Sequence, residues 1–162
     1  MTATKRTAPL ADLGHVPWPE IKDSTGSAAG IPLLLTTLAR GDADSADTAF
    51  GQLRRRICQF GFVVEEATAV TVPFLWELAR LPQVTCRAKI LRLLKSIADA
   101  RQWETTAVAY PKLLHHPDNY VAWERAARHA VRAQRDVLCQ LLAEPDTDIK
   151  RATTELAAAL TD

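Results

Sequence analysis

At 162 residues, with 48% hydrophobic and 24% charged side chains, the chain has the composition of a globular protein able to bury one continuous core without metal or disulfide staples. A formal net charge of +1 excludes a global electrostatic pull toward nucleic acid or membrane, so any such targeting must come from the distribution of charge. No apolar run suits a signal-peptide core or a bilayer span, and a cytoplasmic protein with no membrane partner is expected.

In chain order, residues 1–17 read as a flexible N-terminal tail and residues 18–162 as one domain. Trp18, between Pro17 and Pro19, either caps the apolar end of that domain or meets a partner. The run Asp23-Ser24-Thr25-Gly26-Ser27 reads as loop, because it lacks the glycine spacing and lysine of a phosphate loop and the flanking glycines of a nucleophile elbow. Next, IPLLLTTLARGDADSADTAFGQLRRRICQF reads as a helix opened by Pro32, a Gly41-Asp42 turn and a second helix with Ala46, Phe50, Leu53 and Ile57 on one face.

Gly61-Phe62-Val63-Val64 has strand-like composition but is short, and reads as a linker. Beyond it, VTVPFLWELARLPQVTCRAKILRLLKSIADA repeats the pattern. A helix carrying Val72, Leu75, Trp76 and Ala79 breaks at Pro82, and Val84, Ala88, Leu91, Leu94, Ile97 and Ala98 line one face of the next. TTAVAYPKLLHHPDNYVAWERAARHAV does so again around Pro117-Asp118, and RDVLCQLLAEPDTDIKRATTELAAAL around Pro145-Asp146. The turns at Gly41, Pro82, Pro117 and Pro145 fall 41, 35 and 28 residues apart, the irregular period of a helical solenoid. Asp118 and Thr147 are the expected caps of the last two second helices.

VPFLWELARLPQVTCRAKILRLL and PDTDIKRATTELAAAL resemble HEAT-type repeats, in which an apolar first helix meets an Asp-containing turn and an Arg/Lys-bearing second helix. More narrowly, Gly26, Ser27, Ala28 and Pro32, followed by Glu66-Ala67-Thr68-Ala69, Val72, Pro73, Phe74 and Leu75, resemble motifs of a group of actinobacterial HEAT-repeat proteins, a likeness that implies a fold and leaves the function open. The resemblance covers most of residues 18–162 and departs at Cys58-Gln59-Phe60-Gly61-Phe62, where the group is polar and aromatic. It implies an all-α fold: a right-handed α-solenoid of about four HEAT-like helix pairs, spanning 18–162 as a single HEAT-like repeat domain.

In such a solenoid the second helices usually line the concave face. Taken as 44–59, 83–98, 118–132 and 147–160, they carry twelve of the twenty Lys and Arg against six of the nineteen Asp and Glu, a net of +6 against −5 for the remainder. Helical geometry places Arg55, Lys89, Arg92, Arg125, Arg128 and Arg132 on polar faces, as one basic stripe for a protein or peptide with an acidic surface. The bland alternative is that amphipathic helices put their cations on the wet side, with Arg87 and Arg151, soon after their turns, tying units together.

The other reactive side chains have structural readings. Cys58, Cys86 and Cys139 form no CxxC pair and read as buried reduced thiols. His115-His116 suits a helix C-terminus, and with His129 shows no HxxxH or HExxH spacing, so neither metal nor cofactor is expected. Glu65 and Glu66 diverge by about 100° on a helix and form no acid/base pair. Trp76, Trp103 and Trp123 read as core. With no catalytic motif, the expected function is a non-catalytic interaction module: an adaptor, a regulator, or an inhibitor or immunity protein. The alternative is a nucleic-acid-binding protein related to HEAT-type DNA glycosylases.

Overall fold

The computed structural model describes residues 10–161. Nearly all regular structure is helical, with two short hairpins at the joints. The first hairpin pairs β1 (Lys22–Asp23) with β2 (Gly26–Ser27). Gly26 turns it at φ +116°, and Asp23 fastens it: one carboxylate oxygen accepts from the Thr25 amide and hydroxyl (2.7 and 2.6 Å), the other from Arg56 (2.9 Å). A Cβ on Gly30 would lie 3.1 Å from the Arg56 guanidinium, so this glycine makes room for the arginine. Asp23, Thr25 and Arg56, with Gly26 at the turn, thus form a structural clasp.

Helix α1 (Ile31–Arg40) has Pro32 in its first turn and buries Ile31, Leu34, Leu35 and Leu38 at helical spacing. Helix α2 (Ala43–Ile57) starts at Asp42, whose side chain accepts from the Ser45 amide at 2.8 Å, and packs on α1 through Ala46, Ala49, Leu53 and Ile57. The segment expected as a linker instead forms a hairpin of β3 (Cys58–Gln59) and β4 (Val63–Val64), because β-branched Val63 and Val64 extend and Gly61 supplies the turn.

Helix α3 (Glu66–Ala79) opens with the Thr68 hydroxyl accepting from the Glu65 amide at 2.9 Å and donating to the carbonyl of Ile57. It is buried on most sides, including Trp76, whose indole N–H has no acceptor among the described residues. Helix α4 (Arg87–Asp99) follows and is the hub: it packs on α3, on α6 (Tyr120–Ala133) and on α8 (Thr147–Ala159). Between them lie α5 (Gln102–Ala109), against α6, and α7 (Leu138–Leu142), against α8. In a linear stack each unit meets its sequence neighbours. Here α8 takes α4, two units back, as its main helical neighbour, and α6 lies against both α3 and α4.

Several expectations shift by a residue or a face. The caps are Asn119, accepting from the Ala122 amide, and Asp146, accepting from those of Asp148 and Ile149; Asp118 instead pairs with Lys22 at 2.7 Å. The segment ahead of Pro117, read as one helix, divides into α5 and a 3-10 turn, Pro111–His115, with Pro111 in the first turn, where its missing N–H costs nothing. Residues 1–9 of the expected tail lie outside the described residues. Residues 10–17 pack on the domain: Leu10 is buried, its amide donating to Glu77 at 2.7 Å, and the Trp18 indole donates to the Leu13 carbonyl at 2.9 Å. Trp18 is itself buried, 5.9 Å from the Phe74 ring.

Candidate partner-binding groove

The three arginines at the end of α2 are 100° apart, and the structure sends each to a different environment. Arg56 turns to Asp23, Arg55 to solvent beside the first hairpin, where its carbonyl accepts from the Ser24 hydroxyl, and Arg54 to the side facing α4. One turn before Arg54 lies Phe50. Opposite, on α4, Lys89, Arg92, Leu93 and Ser96 share a face. Together these six residues line a groove of about 200 Å³ with Phe50 and Leu93 as its apolar part and three cations around it.

The cations differ in their attachments. Lys89 reaches Asp47 on α2 (2.8 Å) and Arg92 reaches Asp148 on α8 (2.6 Å), with all four side chains roughly half exposed. Arg54 is exposed and has no ion-pair partner among the described residues. Its charge acts on Cys58, where desolvation dominates and pushes the thiol up to about 12, so that the sulfur stays protonated and unreactive. Cys86 is likewise buried and raised by desolvation, whereas Cys139, expected inside, is exposed because α7 packs through Leu138 and Leu141.

Of the six expected partner-binding residues, the groove unites Lys89 and Arg92. Arg55 and Arg125 are exposed elsewhere on α2 and α6, and Arg132 is half-buried on α6. Arg128 is not part of an open stripe. Its guanidinium, largely buried, donates to the Ala100 carbonyl (2.9 Å), Glu104 (2.8 Å) and Glu124 (3.3 Å). Arg87 holds structure as expected, donating to the Ala79 carbonyl (2.7 Å) and Glu144, while Arg151 is exposed on α8. Arg54, Leu93 and Ser96 line the groove outside the expected stripe, and Phe50, expected on the buried face of its helix, is only half-buried and lines it too; the i, i+4 spacing of Phe50 and Arg54, one step off the buried stripe of Ala46, Ala49, Leu53 and Ile57, is the available signal.

Two further clusters lie outside the groove. Trp103 stacks on Tyr120 (4.4 Å between centroids), with Trp123 edge-on at 5.2 Å and the Trp103 indole donating to the Val64 carbonyl. These rings are only partly buried, in contrast to fully buried Trp76. Nearby, burial raises Glu65 to about 7, assisted by the negative charges of Asp23 and Asp118. Among the described residues no group of three His, Cys, Asp or Glu is placed to hold a metal ion, and no helix is long and apolar enough to cross a membrane. Comparison with models of protein families, with curated proteins and with solved structures finds no match to this chain.

Proposed function

We propose that the chain is a non-catalytic, cytoplasmic interaction module, a HEAT-like right-handed α-solenoid with its last unit folded back on α4, that takes an acidic segment of a protein partner between α2 and α4. The observation that carries this reading is the convergence of Arg54, Lys89 and Arg92 on one groove beside Phe50 and Leu93. An adaptor, a regulator and an inhibitor all fit such a groove.

Exposed ion pairs contribute about 0–1 kcal/mol each, so partner carboxylates can replace Asp47 and Asp148 at little cost while half-buried Phe50 adds apolar contact. The same two aspartates favour a protein over nucleic acid, since they interrupt the track that a continuous line of phosphates would need. The test is co-precipitation from a lysate of the source organism with wild type and Arg54→Glu/Lys89→Glu/Arg92→Glu. None of the three positions is buried, so the variant folds, and salt-sensitive capture of a protein falls at least about tenfold, the scale of one or two interface hot spots. Undiminished capture by the folded variant refutes the groove; recovery of nucleic acid alone refutes the protein partner.

A further inference from the structure

The β3–β4 hairpin ends in an arrangement that the fold does not need. The turn runs from Gln59 to Phe62, closed by the Phe62 amide donating to the Gln59 carbonyl at 3.2 Å, and both central residues have positive φ: Phe60 at +61° and Gly61 at +85°. That pair of angles belongs to the type I′ turn, for which Asn-Gly is the favoured sequence and a bulky aromatic at the first position is strained. Phe60 accepts the strain without burying its ring, which is 77% exposed; Phe62 is 46% exposed, and their centroids lie 6.2 Å apart. Strain and an exposed aromatic pair together mark a residue retained for contact with something else.

The hairpin grows from the end of the helix that forms one wall of the groove. Helix α2 runs straight into the hairpin, β3 packs on α4, the opposite wall, and Arg54 acts electrostatically on Cys58, the first residue of β3. Resting on the groove reading, we infer that Phe60 and Phe62 are the apolar anchor of the same partner: a protein segment that combines bulky apolar side chains, which cover the two rings, with carboxylates, which reach Arg54 and its neighbours. Charge complementarity selects that chemistry. Cations flank the hairpin on its α2 side, and Asp47 and Asp148 interrupt the cations of the groove, so a polyanion laid along it meets repulsion where a mixed protein segment does not.

Phe60→Asn separates the two roles of this residue, because Asn-Gly relieves the turn while deleting the anchor. A displayed library of short random peptides is selected on immobilised wild type, and the enriched peptides are titrated against Phe60→Asn/Phe62→Ser, against Arg54→Glu/Lys89→Glu/Arg92→Glu, and in parallel with an oligothymidylate. The expected result is enrichment of Asp and Glu together with Leu, Phe or Trp, at least about tenfold weaker binding to the Phe double variant, and a melting temperature of Phe60→Asn at or above that of wild type. Peptides that bind the Phe variant as well as wild type but lose the cation variant overturn the anchor and leave the groove standing. Peptides that lose binding to the Phe variant but not to the cation variant overturn the groove reading and with it the inference of one shared partner. Failure to enrich any peptide, enrichment without apolar residues, or binding of the oligonucleotide alone overturns the inference.

Discussion

The junction of α5 with α6 and the groove between α2 and α4 are built from the same residue types and behave oppositely. At the junction, Glu124 is fully buried and its carboxylate accepts from the Trp103 amide (2.9 Å), the Glu104 amide (3.0 Å) and Arg128, so one side chain of α6 caps the start of α5. Arg128 in turn is consumed by three in-chain acceptors. In the groove, Lys89 and Arg92 each hold one half-exposed aspartate, and Arg54 holds none among the described residues. What separates a structural cation from one offered to a partner is the number of buried acceptors it satisfies, a property of the neighbouring helices more than of its own.

The sharpest way to break that contrast is at Glu124. Removing one partner from a buried ionic network leaves the others desolvated and unpaired, which costs about 3–5 kcal/mol. Glu124→Ala is therefore expected to lose that much stability in urea denaturation, through Arg128 and the uncapped amides of Trp103 and Glu104. A loss below about 1 kcal/mol, the range of exposed pairs, would put the junction and the groove on the same footing.

A middle-sized effect lies at Glu65. Its folded-state value of about 7 exceeds the ordinary 4.5, so between those two values the folded protein binds more protons than the unfolded chain. Stability accordingly falls as pH rises from about 4.5 to 7 and stays lowered above it, where Glu65, Asp23 and Asp118 carry like charges. Glu65→Gln removes that slope, and its gain over wild type at pH 8 is on the order of 1–2 kcal/mol for a carboxylate half open to water. Parallel stability curves for the two proteins across this range would show that Glu65 titrates normally.

The helices were legible because their apolar spacing is strong: Leu53 and Ile57, or Leu91, Leu94 and Ile97, announce one buried face each. The role of each cation was not, because a helix wheel reports which side is wet and nothing of what arrives from other elements. Arg128 sits on a polar face by phase, yet Ala100 and Glu104 come in over it; Arg54 and Arg56, on either side of the chosen Arg55, differ only in facing α4 or the first hairpin. The β3–β4 hairpin escaped for a related reason, since its turn uses Phe60 where Asn would have signalled it.

The smallest structural effect carries the most functional information. Asp47→Asn and Asp148→Asn each remove an exposed acid that occupies a groove cation, and each is expected to lower stability by no more than about 1 kcal/mol. Their effect on binding has the opposite sign, because the partner's carboxylates no longer compete with in-chain ones for Lys89 and Arg92. The Asp47→Asn/Asp148→Asn protein is expected to bind an acidic peptide more tightly than wild type, with the gain shrinking as salt is added. Weaker binding would mean that the two aspartates hold Lys89 and Arg92 in the geometry that a partner needs, and that these ion pairs belong to the structure in the same sense as Arg128.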